Sequence, residues 1–163
     1  MAAVRERIYI EAPYTQAVGM FERRLGLAPG VTHGKCELTL VVPASGRNEI
    51  ARVVSATTER LPGAANYQSQ YRIRWAAGRT AGGFPTPSFA GTLTLGAGED
   101  YGECALELVG QYEPPGGPAG GVFDEIIGRR IAHATLSTLL DEVGRHLHHE
   151  HQRVESEKRS TQV

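Results

Sequence analysis

The chain has few cysteines, no long apolar run and no excess of either charge. Its 163 residues include two cysteines, Cys36 and Cys104, far apart in strand-like segments. This favours reduced thiols in a cytoplasmic protein over a disulfide. No apolar run approaches the roughly 20 residues that cross a bilayer, which predicts no integral membrane association. The formal net charge of -1 gives no overall attraction to nucleic acid or to an anionic membrane.

Targeting and catalytic signatures are absent as well. The N-terminal segment MAAVRERIYIEA lacks the uninterrupted apolar region of a signal peptide. The motifs G-x-S-x-G, C-x-x-C and H-E-x-x-H do not occur, and the glycine-rich segments at 78–83 and 96–102 do not join a strand to a helix, where phosphate-binding loops work. The sequence therefore predicts no cofactor.

Four histidines near the C-terminus resemble a metal cluster at first: His146, His148, His149 and His151. On a helical wheel they fan out around an exposed helix end, whereas metal ligands must converge and have a second shell of partners. No metal site is predicted.

The composition is that of one globular domain. Hydrophobic residues make up 40% and charged residues 21% of the sequence, which is ordinary for a soluble domain large enough to bury a core. We predict a single domain over residues 1–151 and a disordered polar tail over 152–163. The oligomeric state is left open.

The first segments alternate between strand and helix. A strand is predicted at 4–12, followed by a helix at 14–25 that starts after Pro13 and stops at Gly26. Its inner edge carries Val18, Phe21, Glu22 and Leu25. Residues 27–34 are too short and too broken for more than one helical turn.

From Cys36 to Tyr112 the apolar residues recur with a period of two, which is typical of strands with one buried face. Strands are predicted at 36–42, 50–58, 67–75, 89–95 and 104–112. Turn signals separate them, at 44–46, 62–63, 78–87 and 96–98. Short connections between alternating strands indicate an antiparallel meander.

A breaker at 114–118, Pro-Pro-Gly-Gly-Pro, ends the last strand and precedes one long helix. An apolar stripe with spacings of four and three predicts its sheet-facing side. The stripe comprises Val122, Ile126, Arg129, His133, Leu136, Leu140, Val143 and Leu147. A second largely apolar face competes with it in the first half of the helix: Phe123, Ile127, Ile131, Ala134 and Thr138.

This order of elements resembles the START-like helix-grip (SRPBCC) superfamily, including its polyketide cyclase/dehydrase and lipid-transport types. The segments that carry the resemblance are IYIEAPYTQAVGMF and LELVGQYEPPGGPAGGVFDEIIGRRIAHATLSTLL. The resemblance implies an α+β fold, with a curved antiparallel sheet of six or seven strands wrapped around the long C-terminal helix. It also implies an internal cavity for an apolar ligand.

Arg129 and His133 are the foremost candidate site residues, because they are polar and four apart on the predicted inner stripe. An arginine there would anchor an anionic group by a bidentate hydrogen bond, and a histidine beside it would donate, accept or move a proton. The alternative is that this end of the helix overhangs the sheet, and that both side chains reach water or pair with an acid on a strand.

The remaining candidates are side chains predicted to face the helix from the strands. They are Tyr67, Tyr71, Trp75, Leu106, Leu108 and Tyr112. Aromatic rings with a polar tip provide apolar area and one directed hydrogen bond, which suits a ligand pocket. They would serve equally well as core residues.

Three functions are consistent with these features. The first is binding of a small, largely apolar ligand (lipid-, polyketide- or aromatic-like) between sheet and helix. The second is an enzyme of the polyketide cyclase/dehydrase type, in which His133 or a tyrosine moves a proton in the same cavity. The third is a closed-core protein that acts through its surface.

Overall fold

The computed structural model describes residues 2–43, 49–79, 85–113 and 122–162. The predicted turn at 44–46, the breaker at 114–118 and part of the loop at 78–87 lie outside these residues. The strands are β1 (Ala2–Ile10), β2 (His33–Pro43), β3 (Glu49–Leu61), β4 (Gln68–Trp75), β5 (Gly78–Arg79), β6 (Pro85–Thr86), β7 (Ser88–Ala97) and β8 (Cys104–Glu113). The helices are α1 (Tyr14–Arg24) and α2 (Val122–Thr161).

The predicted meander is confirmed. Six strands form one antiparallel sheet in the order β1-β8-β7-β4-β3-β2, and β5 and β6 pair separately. The first strand pairs with the last, with Ala2 opposite Tyr112 and Ile10 opposite Cys104. Since α2 packs against β1 and β2, the two edges of the main sheet, the curved sheet encloses the helix. The predicted α+β class, with a curved sheet and a long C-terminal helix, is confirmed.

Helix α1 packs its apolar edge into the core. Pro13 is its N-cap in extended conformation, and Gly26, with φ of 75°, follows its C-terminus as predicted. Ala17, Phe21 and Leu25 are fully buried. The Thr58 hydroxyl donates a 2.8 Å hydrogen bond to the Leu25 carbonyl, which satisfies a carbonyl that the helix end leaves without an intrahelical donor.

In the first half of α2, the face that meets the sheet differs from the predicted stripe. Its buried positions are Gly128, Ile131, Ala132, Thr135, Leu136, Leu139 and Val143. Ile126 is 59% exposed, so the helix is rotated towards the second apolar face. Gly128 explains the rotation, because a Cβ there would lie 2.9 Å from the Tyr112 ring. The helix backbone thus lies directly on that ring.

The second half of α2 agrees with the prediction. Leu136 and Val143 are buried, and Leu140 and Leu147 pack partly against the core. The helix continues through Thr161, so residues 152–161 are helical where a disordered tail was predicted. Ion pairs of Arg153 with Glu157 and of Lys158 with Glu155 lie along these turns, and such pairs support helix without any buried face. In the described part of the chain, no helix has the length and apolar content that a membrane crossing would require.

Candidate ligand-binding site

Three aromatic side chains stand side by side on the inner face of the sheet. Trp75 of β4 is opposite Phe89 of β7, which is opposite Tyr112 of β8. We call this set the aromatic row. All three are at most 4% exposed, and the Trp75 and Phe89 rings stack with centroids 4.7 Å apart. At its Tyr112 end the row meets α2, where Gly128 lies against the ring.

A pair of glycines makes room for the row. Gly91 of β7 and Gly110 of β8 face each other in the sheet. A Cβ on Gly110 would lie 2.5 Å from both the Ala90 carbonyl oxygen and the Phe89 ring. The Phe89 ring therefore lies flat over the glycine pair, which is possible only because neither residue has a side chain.

Two polar atoms in this interior have no partner among the described residues. They are the indole nitrogen of Trp75 and the hydroxyl oxygen of Thr135, on the inner face of α2. Trp75 is 4% and Thr135 is 4% exposed. A buried donor without an acceptor costs about 1–3 kcal/mol, and such groups are uncommon enough to need an explanation.

A polar network closes the interior on the side of α1. The Glu22 carboxylate accepts hydrogen bonds from Arg60 Nη2 at 2.7 Å and from the Tyr71 hydroxyl at 2.9 Å. Arg60 also donates to the Val31 carbonyl, and the hydroxyls of Tyr14 and Ser69 bond beside this group. The network joins α1 to β3 and β4. It also uses the polar tip of Tyr71 within the protein.

Burial raises the pKa of Tyr71 above its ordinary value, and the hydrogen bond to the Glu22 carboxylate acts in the same direction. Below pH about 10 the phenol is neutral in both folded and unfolded chains, so the buried Tyr71 hydroxyl stabilises the folded chain fully in that range. Above that pH the unfolded chain loses the proton while the folded chain keeps it. We therefore expect the free energy of unfolding to fall by up to about 1.4 kcal/mol per pH unit from Tyr71 alone.

Urea unfolding between pH 8 and pH 11 measures this effect. Tyr71→Phe should have a shallower fall than the parent, and Tyr101→Phe, which removes an exposed hydroxyl, should keep the parent's slope. Equal slopes for the parent and Tyr71→Phe would contradict the assignment.

The predicted inward orientation of Arg129 and His133 is wrong. Their side chains are 62% and 64% exposed. Arg129 pairs with Glu125 one turn earlier, at 3.0 Å, and His133 Nδ1 lies 3.6 Å from the Glu6 carboxylate of β1. This is the alternative arrangement, in which the helix overhangs the sheet edge and its polar side chains meet a strand acid. The rotation at Gly128 is the physical cause.

Tyr67 is also displaced from the predicted inner face. Its backbone has φ of 57°, so the alternation of β4 begins after it, and its ring is 63% exposed. The other strand candidates do share the inner face and are essentially fully buried: Tyr71, Trp75, Leu106, Leu108 and Tyr112. Five of the strand side chains are thus brought together, whereas Tyr67, Arg129 and His133 lie on the outside.

Sequence reasoning missed the roles of Glu22, Arg60 and Glu6. Glu22 occupies an otherwise apolar helix edge, and a carboxylate in such a place indicates a buried partner. Arg60 and Glu6 sit at inner positions of β3 and β1, where alternation predicts apolar side chains. The signal was the same in all three cases: a charged residue in register with the core.

Both cysteines are free thiols. Burial raises the pKa of Cys36, against a lowering by the nearby Arg24 guanidinium. Burial raises the pKa of Cys104 to about 11, and the Glu103 carboxylate adds to that rise. A thiol with a raised pKa is a weak nucleophile, so neither cysteine is a candidate catalytic residue.

No protein-family model and no curated protein matches this chain. Among solved structures, it is similar to the crystal structure of TTHA0849 from Thermus thermophilus, with a TM-score of 0.50 and 12% sequence identity. The match covers 89% of this chain and 96% of that one. At this identity the likeness concerns the fold alone.

Proposed function

We propose that the protein binds a small, largely apolar molecule between the inner face of the sheet and α2, against the aromatic row. The arrangement of sheet and helix is compatible with the helix-grip architecture, and the resemblance to START-like proteins implies ligand binding in this region. The free thiols favour the reducing cytoplasm as its compartment.

The observation that carries the proposal is the buried Trp75 N–H, which has no acceptor among the described residues. An apolar ligand with one carbonyl or ether oxygen would supply that acceptor while its body covers the row. The Trp75 N–H then has an acceptor in the complex but none in the free protein. The free-energy penalty of the unpaired donor is therefore removed only on binding, which favours the complex. Since the row is packed with side chains, binding also requires the rings of Trp75 and Tyr112 to move.

Binding is better supported than catalysis. The enzyme hypothesis needs a group that moves protons inside the same space, and His133 lies outside it. The Tyr71 hydroxyl is inside, but its proton is held by the Glu22 carboxylate, and its raised pKa makes it a poor acid near neutral pH.

Native mass spectrometry of protein purified from cells, followed by organic extraction, tests the proposal. We expect one small molecule per chain, and Trp75→Phe should retain about two- to tenfold less of it, the value of one hydrogen bond of about 0.5–1.5 kcal/mol. Val109→Ala, on the exposed outer face of β8, is the matched control and should retain the full amount.

Recovery of a bound compound at equal occupancy in the parent and Trp75→Phe would contradict the assigned site. If the parent carries no compound and takes up none from a lipid extract of the same cells, the binding function itself is wrong, and the closed-core, surface-acting alternative takes its place.

A further inference from the structure

A cleft lies outside the sheet, at the start of α1. It has a volume of about 310 Å³ and is lined by Pro13, Tyr14, Thr15, Tyr67, Ala97, Gly98, Glu99 and Tyr101. We call it the tyrosine cleft. It belongs to the α1 end of the molecule and shares no lining residue with the aromatic row. Two of its walls are exposed phenol rings, Tyr67 at 63% and Tyr101 at 89%.

The backbone of Tyr67 is what turns its ring into the cleft. Alternation along β4 would place this ring on the inner face with Ser69 and Tyr71. Instead its φ of 57° lies in the left-handed region, which a bulky residue rarely adopts. The Tyr67 carbonyl accepts a 3.0 Å hydrogen bond from the Ala97 amide, which holds the residue against the β7–β8 turn. A strained conformation held in this way is typical of a binding position.

Two of the rings form a corner. Tyr14 and Tyr67 have centroids 6.3 Å apart and planes at 80°, and the bond from Tyr14 to Ser69 fixes the first ring. A cation over the open face of either ring, within about 6 Å of its centroid, is attracted to it.

The charges around the cleft favour a cation. Glu99 is the charged side chain among the lining residues. The lining segments 13–15 and 97–101, together with Tyr67, contain no lysine or arginine. The N-terminus of α1 contributes a partial positive charge of about half a unit, which is smaller than the full charge of the Glu99 carboxylate.

We propose that the tyrosine cleft binds a small organic cation of the alkylated ammonium class. The aromatic faces stabilise the alkylated head through cation–π attraction, and Glu99 supplies the counter-charge. An inorganic cation such as Ca²⁺ would gain less here, because it takes about six to eight oxygen ligands and Glu99 is the single carboxylate among the lining residues.

Choline chloride and its uncharged carbon analogue, 3,3-dimethylbutan-1-ol, form a matched pair of probes. Titrations followed by NMR of the tyrosine ring signals give the dissociation constant for each. We expect choline to bind at least tenfold more tightly than the alcohol. Tyr67→Ala and Tyr101→Ala should each weaken choline binding about two- to fivefold, the value of an exposed cation–π contact, and Glu99→Gln should weaken it similarly.

Tyr67→Phe should keep the affinity, because the ring face remains. Tyr9→Ala is the control: Tyr9 is a similarly exposed tyrosine, at 60%, but lies on β1 beneath the Arg7 guanidinium. It should leave choline binding unchanged. Equal affinity for choline and the alcohol, no binding of choline, or loss of binding in Tyr9→Ala alone would overturn the proposal.

Discussion

Gly110→Val is expected to lower the free energy of unfolding by about 3 kcal/mol, the upper end of the range for an overpacked core. Valine is a better strand residue than glycine, and by propensity alone it would stabilise β8 by up to about 1 kcal/mol. The close approach decides the sign, because the new Cβ would lie 2.5 Å from the Ala90 carbonyl oxygen. The Ala90 carbonyl belongs to the backbone of β7, which cannot move away from the new Cβ as a flexible side chain could. Urea unfolding with intrinsic fluorescence measures the change.

Gly96→Val is the matched control, in the neighbouring strand β7. A Cβ there would meet Gln68 Cγ at 3.8 Å, an ordinary contact. We expect its free energy of unfolding to remain within about 0.5 kcal/mol of the parent or to rise slightly. If both valine variants shift stability equally, the glycine pair is not a site of close approach and the packing of Phe89 over it is wrong.

Glu22→Leu is expected to lower the free energy of unfolding by about 2–3 kcal/mol. It removes the acceptor of the buried Tyr71 hydroxyl, which alone costs about 1–3 kcal/mol. It also removes the carboxylate paired with Arg60. Losing one member of a fully buried pair costs about 3–5 kcal/mol, but the Arg60 and Glu22 side chains are 29% and 21% exposed, so solvent screening reduces that part.

Glu107→Leu provides the comparison. Its partner Arg5 is 73% exposed, and a surface pair of this kind contributes about 0–1 kcal/mol.

A double-mutant cycle of Glu22→Leu with Tyr71→Phe tests the hydrogen bond itself. The two changes in the free energy of unfolding should be non-additive by about 1 kcal/mol, since both substitutions remove the same hydrogen bond. An additive cycle, or equal losses in Glu22→Leu and Glu107→Leu, would refute the network.

Much of the architecture follows from local patterns. The strands of the main sheet from β2 to β8 follow a period of two, and the sequence carries turn signals between them. Each pairing among them joins strands that follow one another in the meander. Helix α1 is bounded by Pro13 and Gly26, whose backbone preferences depend on no distant contact. The second half of α2 faces inward as its spacing predicts, because the second apolar face ends at Thr138 and does not compete with Leu140, Val143 and Leu147.

In the first half of α2, local patterns no longer predict which face of the helix meets the sheet. Two apolar faces compete there, and periodicity alone does not choose between them. The choice rests on the contact of Gly128 with Tyr112, residues 16 positions apart in the chain. Once that contact rotates the helix, Arg129 and His133 necessarily turn to the rim. Likewise Tyr67 continues a clean alternating pattern, and only its left-handed backbone removes it from the inner face.

The sequence by itself therefore determined helix α1, the meander from β2 to β8 in the main sheet and the five strand side chains that share the inner face. Each depends on periodicity within one segment or on the short connection between neighbouring segments. The tertiary structure alone decided which face of α2 meets the sheet, that Glu22, Arg60 and Tyr71 form one network, and that three tyrosines from separate segments line one cleft. These depend on close approaches between distant parts of the chain, and local propensity carries no information about those distances.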